Sequence, residues 1–252
     1  MNQKRLEKVL QQMASNNVPQ TVISDPAAVF YLTGKWIHPG ERMLALYLNL
    51  NGKHKLFLNK LFHVPEDLGV EKIWFDDIDN SIGILAQYID REAVMGIDKN
   101  WPSHFLLRLM SEKNNNAFVN GSVFVDQIRA CKDMQEQQFM REASRINDLA
   151  IERLIKLIPE QYTEKKLAQF LPGIYEELGT DGLSFDPIIS YGANAADPHH
   201  SPEDSQLKAG DCVILDIGCK KNSYCSDMTR TVFYKYASVH AKKVYSIDRK
   251  ST

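Results

Sequence analysis

The sequence has no long apolar run, no excess of basic charge and no paired cysteine motif. None of its 252 residues lies in a stretch approaching the ~18 apolar residues that a membrane-spanning helix requires. Lysine and arginine total 30 against 32 aspartate and glutamate residues, so the chain lacks the basic surface that binds nucleic acid or an anionic membrane. The N-terminal segment MNQKRLEKVLQQM is charged and has no apolar signal-peptide core. We therefore expect a cytoplasmic protein with neither nucleic-acid nor membrane partners.

Cysteine is scarce as well. Cys131, Cys212, Cys219 and Cys225 form no CxxC pair, which predicts reduced thiols. Three of them, Cys212, Cys219 and Cys225, lie in or directly before residues 213–231, so a zinc site is an alternative, but their gaps of six and five residues differ from the short pairs of structural zinc sites. We expect these three to be buried free cysteines, because unpaired cysteine behaves as a small apolar residue.

The remaining composition is that of an ordinary globular protein. Hydrophobic residues make up 44% and charged residues 25%, enough to bury a core in one large domain or two ordinary ones. Strand and helix signals alternate through the first half, which predicts an α/β (α+β) fold with a mixed sheet. A capped helix starting near Asp133 opens the second half. We place the domain boundary near residues 126–133, giving domains of residues 1–126 and 127–252.

Local signals predict where several elements begin and end. Asp25 is a helix cap, and Gly34 closes the same helix. Asn51-Gly52, between two apolar alternating segments, predicts a hairpin. The segment AFVNGSVFV (117–125) predicts a strand.

Two aspartates, Asp216 and Asp227, lie in VILDIGCKKNSYCSDMTRT (213–231). Both flanks are strand-like and the turn between them is polar, so a hairpin is predicted. If it closes symmetrically about Lys221 and Asn222, the two aspartates face each other with Cβ atoms ~4.5–5.5 Å apart. At ~5 Å and an effective dielectric of ~20, their repulsion is about 3 kcal/mol.

The residues alone leave several accounts of this pair open. One carboxylate could take up a proton, or Arg230 or a nearby lysine could neutralise the pair. A divalent cation could lie between the aspartates, since hard cations bind carboxylate oxygens. The pair could also simply face solvent beside a lysine. Two carboxylates cannot complete the coordination shell of a metal, so a metal site would need further ligands.

A second polar segment precedes the strand that carries Asp216. The segment SYGANAADPHHSPEDSQLKAGD (190–211) has the composition of a loop and contains His199 and His200. These histidines could be merely polar surface residues. Alternatively, one of them reaches the carboxylate pair as a ligand, an acid/base or a donor to substrate.

Together these motifs resemble a known enzyme family. The segments DPIISYGANAADPHH (186–200), LKAGDCVILDIGC (207–219) and YCSDMTRTVF (224–233) resemble the proline-specific pita-bread metallopeptidases, which are prolidases (Xaa-Pro dipeptidases) and aminopeptidase P. The segments SDPAAVFYLTG (24–34) and ERMLALYL (41–48) resemble the creatinase-type N-terminal domain of those enzymes. The resemblance implies such a domain followed by a pita-bread catalytic domain.

The resemblance also implies an activity. Asp216 and Asp227 correspond to the first two ligands of two divalent metal ions, usually manganese, cobalt or zinc. His199 corresponds to a histidine on the substrate side. The implied reaction is hydrolysis of the Xaa-Pro bond in proline-containing peptides, and the implied assembly is a homodimer.

One departure from the family pattern qualifies this activity. The remaining ligands, a histidine and two glutamates, lie further along the chain in the family, whereas only VFYKYASVHAKKVYSIDRKST follows Thr231 here. We therefore expect a C-terminally truncated member with an incomplete catalytic domain, doubtful metal occupancy and weak or no activity. The alternative is a non-catalytic remnant that serves in dimerisation or peptide binding.

Overall fold

The fold is described for residues 1–112 and 117–251 in a computed structural model, with residues 248–251 described by their backbone alone. The chain divides into two units, Met1–Lys132 and Asp133–Thr252.

The first unit is a mixed sheet with helices on both faces. Its strands are β1 (Gln20–Ile23), β2 (Ala45–Asn49), β3 (Lys55–Asn59), β4 (Glu71–Phe75), β5 (Met95–Ile97) and β6 (Phe118–Asn120). Its helices within the described residues are α1 (Gln3–Ser15), α2 (Pro26–Thr33), α3 (Ser81–Ala86), α4 (Ser103–Glu112) and α5 (Val123–Ala130). The strand order is β4-β3-β2-β1-β5-β6, in which β1, β2 and β3 pair antiparallel and the outer pairs are parallel. The predicted mixed α/β class is confirmed.

Side-chain alternation along β2 explains the two helix layers. Leu46 and Leu48 are buried in the core that α1, α2 and α5 share. Ala45 and Tyr47 point the other way, into the core that α3 and α4 share. Neighbouring strand residues face opposite sides of a sheet, so a strand that is apolar throughout must be covered on both faces.

One local prediction in this unit is wrong. Residues 117–125 do not form one strand: β6 ends at Asn120, and α5 begins at Val123. The side chain of Asn120 accepts a hydrogen bond from the Ser122 amide at 3.1 Å, which turns the chain. Turn chemistry therefore outweighs the β propensity of the segment VFV.

The second unit packs two long helices against antiparallel strands. Its helices are α6 (Met134–Leu157), α7 (Glu164–Glu177) and α8 (Val239–Ser251), with short 3₁₀ turns at Ile158–Glu160 and Gly192–Ala196. Its strands are β7 (Gly182–Leu183), β8 (Ile188–Tyr191), β9 (Cys212–Ile217), β10 (Cys219–Lys221), β11 (Tyr224–Cys225) and β12 (Met228–Phe233). They form two three-stranded sheets, in the orders β12-β9-β8 and β11-β10-β7.

Helix α6 holds β9 in place. The cap predicted near Asp133 is present at its start, where Asp133 and Glu136 form a capping box. Midway along α6, the buried Asn147 donates from Nδ2 to the Ile217 carbonyl at 2.9 Å. The Tyr175 hydroxyl of α7 donates to Asn147 Oδ1, so no polar atom of that amide is left without a partner. The end of β9, next to Asp216, is thereby tied to both helices.

Candidate functional site

Strand β9 has one fully buried apolar face and one half-buried face. Val213, Leu215 and Ile217 are fully buried in the core of the second unit. Asp216 lies between two of them in sequence and is half-buried on the opposite face. Strand alternation thus directs this carboxylate away from the core.

The pairing between the two aspartates differs from the predicted one. Asp216 lies opposite Thr229 on β12, and Lys221 lies opposite Tyr224. The hairpin therefore closes about Asn222 and Ser223, and Asp227 is a diagonal neighbour of Asp216 instead of its direct partner.

The turn residues explain this shift. Asn222 and Ser223 have φ values of 52° and 64°, as a two-residue hairpin turn of type I′ requires. Asparagine tolerates the left-handed region better than lysine does, so Asn222 takes the first central position. The Ser223 amide also donates to Asp181 Oδ2 at 3.1 Å, which holds the turn in place.

Gly218 marks a break between the two aspartates, where the chain passes from one sheet to the other. A Cβ atom added there would lie 2.2 Å from Ser184 Oγ, 2.2 Å from the Ser226 carbonyl oxygen and 2.6 Å from Phe185 Cε1. The Ser184 amide donates to the Gly218 carbonyl at 3.0 Å, and the Ser184 hydroxyl donates to the Ser226 carbonyl at 2.9 Å. Only glycine, which has no Cβ atom, lets the chain pass this close to Ser184 and Ser226.

The carboxylate pair has polar but not cationic neighbours. Thr229 Oγ1 donates to Asp216 Oδ1 at 2.8 Å, which orients that carboxylate. Asp227 is exposed. Arg230 lies 3.6 Å from Asp148 on α6, so it does not neutralise the pair. Among the described side chains, no lysine or arginine forms an ion pair with either aspartate.

His199 is exposed on the loop between β8 and β9, and its amide donates to Asp197 Oδ1 at 2.9 Å. Among the described residues, it makes no hydrogen bond with Asp216 or Asp227. The structure therefore places Asp216 on β9 and Asp227 just before β12, the strand that pairs with β9, and leaves His199 separate from them.

A buried carboxylate that the sequence does not reveal lies under this loop. Glu164, the first residue of α7, is fully buried. Its Oε1 accepts from the Tyr191 amide at 2.7 Å and from Asn194 Nδ2 at 3.0 Å. Its Oε2 contacts His200 Nε2 at 2.7 Å and accepts from the Glu203 amide at 3.2 Å. The sequence signal was only that of an acidic first-turn residue after the cap Thr163, which is normally exposed.

Glu164, His200 and Glu203 form the one group of three metal-ligating side chains found in the part of the chain that the structure describes. The hydrogen bonds argue against a cation at this cluster. Each oxygen of Glu164 already has two partners, which occupies the four lone-pair sites of a carboxylate. A cation would have to displace backbone or amide donors, so the cluster fits a structural role better than a metal site.

The electrostatics of the cluster agree with this interpretation. Burial raises the pKa of Tyr191 to about 12, and the nearby charge of Glu164 adds to the increase. Hydrogen bonds from Ser205 and Asn194 lower the pKa of Glu203. Both residues therefore keep fixed protonation states near neutral pH, as expected of groups that hold a loop.

The cysteines are free, but the burial prediction holds only in part. Cys219 is buried and Cys212 is half-buried, whereas Cys225 is exposed. Cys225 lies on the two-residue strand β11 at the edge of its sheet, where nothing in the described part of the unit covers it. Desolvation raises the pKa of the Cys219 thiol, which makes it less reactive.

No helix among the described residues combines the length and the apolar character needed to cross a membrane.

Two family descriptions match the chain. Residues 5–131 match the creatinase/prolidase N-terminal domain, and residues 138–251 match metallopeptidase family M24. An uncharacterised peptidase of Staphylococcus aureus (strain MRSA252) is 28% identical over 251 residues, which is 96% of this chain and 70% of that protein.

Solved structures agree. A prolidase from Thermococcus sibiricus is similar over 99% of this chain and 70% of its own, with 27% identity and a TM-score of 0.90. A dipeptidase from Pyrococcus horikoshii OT3 is similar over 96% of this chain and 69% of its own, with 28% identity and a TM-score of 0.87. The chain thus spans about 70% of the length of these relatives, and the resemblance read from the motifs is confirmed.

Proposed function

This chain belongs to the family that joins a creatinase/prolidase N-terminal domain to an M24 metallopeptidase domain, and we propose that its function is the hydrolysis of Xaa-Pro peptide bonds. Asp216 and Asp227 hold divalent cations for this reaction, and proline-containing peptides are the substrates. The prolidase among the structural relatives supports this substrate class. The four free cysteines support a cytoplasmic location.

The observation that carries the proposal is the uncompensated carboxylate pair. Diagonal neighbours on paired strands lie ~7–8 Å apart, where two carboxylates repel by about 2 kcal/mol at an effective dielectric of ~20. No described lysine or arginine relieves this repulsion. Folding nevertheless keeps both charges at positions that solvent reaches, where a bound cation would relieve the repulsion.

The donor chemistry favours one of the three metals. Both side chains offer oxygen, and carboxylate sites suit manganese better than zinc or cobalt, which also bind histidine and cysteine readily. A bound cation would polarise the scissile carbonyl. Thr229 holds the Asp216 carboxylate in one orientation. His199, exposed on its loop, donates a hydrogen bond to the substrate.

We expect weak turnover from the 252-residue chain. Manganese and related hard cations take about six oxygen ligands, and the hairpin supplies two carboxylates. The test is hydrolysis of an Xaa-Pro dipeptide with added manganese, beside the matched dipeptide in which alanine replaces proline. We expect slow, manganese-dependent cleavage of the proline substrate alone. Robust turnover would contradict the weak-activity proposal, and equal cleavage of both dipeptides would contradict the proline specificity.

Helix α8 favours a second candidate function, association of copies without catalysis. Val239, Val244 and Ile247 are 87%, 52% and 59% exposed, and exposed apolar surface promotes association. We expect light scattering to show a concentration-dependent dimer that dissociates in the double variant Val244→Lys, Ile247→Lys. A wild-type chain that stays monomeric at every concentration would contradict this candidate.

A further inference from the structure

The loop that carries His199 is held at both ends by a single buried side chain. Tyr191 stands at the end of β8, just before the loop, and Glu203 lies beyond His199 toward β9. Their backbone amides donate to Oε1 and Oε2 of Glu164, at 2.7 Å and 3.2 Å. The two oxygens of one carboxylate thus close a loop of about a dozen residues, which lowers its conformational freedom.

Additional contacts join the loop to the same helix end. The Lys165 amide donates to the Glu203 carbonyl at 2.9 Å. Asn194 Nδ2 contacts Glu164 Oε1, Glu203 Oε1 and Ser205 Oγ at 3.0–3.1 Å. The loop therefore rests on the N-terminus of α7, where the helix dipole also favours the carboxylate.

Only glutamate fits this position. Four donors converge on Glu164, and a carboxylate is the side-chain group that accepts at both of its ends. A glutamine would place an NH₂ group against two donors. Aspartate is one methylene shorter and would not reach both ends of the loop from the same helix position.

His200 links this cluster to His199. The His200 side chain is only 13% exposed, and its Nε2 lies 2.7 Å from Glu164 Oε2. Because the carboxylate accepts, His200 donates from Nε2, which fixes its tautomer and ring orientation. The chain turns at this point, and the turn directs His200 inward onto Glu164 while the neighbouring His199 faces solvent.

We propose that Glu164 is the positioning residue for His199, acting through His200 and the two loop amides. The role given to His199 rests on the proposed function. The positioning itself concerns only this chain and can be measured without metal or substrate.

The test is nitrogen-15 NMR of the seven histidine rings in the full chain, comparing wild type with Glu164→Gln. In wild type we expect a His200 ring whose Nε2 proton exchanges slowly. In Glu164→Gln we expect that proton to exchange at least about tenfold faster, the tautomer to shift toward Nδ1–H and the His199 ring signals to move. His199 signals that stay at their wild-type positions in a folded Glu164→Gln chain would overturn the proposal.

Asn194→Ala keeps the buried charge and removes one donor, so it tests the proposal even if Glu164→Gln does not fold. The same His199 signals should move by a smaller amount, and their failure to move would also overturn the proposal. Asn16→Ala is the matched control, since Asn16 belongs to the first unit and its side chain donates to the Gln12 carbonyl, and it should leave the His199 signals in place. Adding zinc, a diamagnetic substitute for manganese, together with an Xaa-Pro dipeptide to wild type tests the proposed function separately: unmoved His199 signals there contradict that function and not the positioning.

Discussion

Replacing Gly218 with alanine is expected to lower the free energy of unfolding of the second unit by about 3 kcal/mol or more. The added methyl group would meet Ser184 Oγ and the Ser226 carbonyl oxygen at 2.2 Å, far inside van der Waals contact. The backbone oxygen cannot rotate away, so the strands on either side must move apart. Urea denaturation followed by circular dichroism measures the loss.

Gly173→Ala is the matched control. An added Cβ at Gly173, inside α7, has no heavy atom within 4 Å, and alanine favours a helix over glycine by ~1 kcal/mol. The control should therefore unfold at a higher urea concentration than wild type. If Gly218→Ala unfolds at the same urea concentration as wild type, the backbone at Gly218 does not lie as close to Ser184 and the Ser226 carbonyl as the structure shows.

Capping and turn signals could be predicted from the sequence because they depend on neighbouring residues. Asp25, predicted to cap the start of α2, accepts a hydrogen bond from the Ala28 amide at 3.0 Å. Gly34, predicted to end the same helix, has the left-handed φ of 77° that is typical of a helix end. Asn51-Gly52 lies between β2 and β3, which pair as predicted. Each of these features is decided within about five residues of chain.

The exact register of the aspartate hairpin could not be predicted from its polar turn. Lys221, Asn222 and Ser223 are all acceptable in a turn, and a shift of the turn by one residue converts a direct pair into a diagonal one. The observed turn is also held by Asp181, about forty residues earlier in the chain. A contact between such distant residues has no signal in the local pattern.

Glu164 was missed for a related reason. Its position after Thr163 is typical of an exposed first-turn acid, and its burial arises only when the loop after β8 folds over it. Nothing in the spacing of TEKKLAQF indicates that four donors converge there. The family motifs drew attention to His199, whereas the residue that holds its loop lies some thirty-five positions upstream.

Replacing both Asp216 and Asp227 with asparagine is expected to weaken manganese binding by about a hundredfold or more. Asparagine keeps an oxygen but removes the negative charge, and affinity for hard cations depends on the number of charged ligands. Folding should survive, because an asparagine at position 216 can still accept the Thr229 hydrogen bond and Asp227 is exposed. Removal of the mutual repulsion should leave the metal-free chain at least as stable as wild type.

Calorimetric titration with manganese of wild type, the double variant and Glu203→Gln tests the central claim most directly. Glu203→Gln removes one charge from the other acidic cluster and serves as the control. We predict a dissociation constant on the order of 10⁻⁴ to 10⁻³ M for both wild type and Glu203→Gln, and no measurable binding by the double variant. Unchanged binding by the double variant, or its loss in Glu203→Gln alone, would contradict the claim that Asp216 and Asp227 bind the metal.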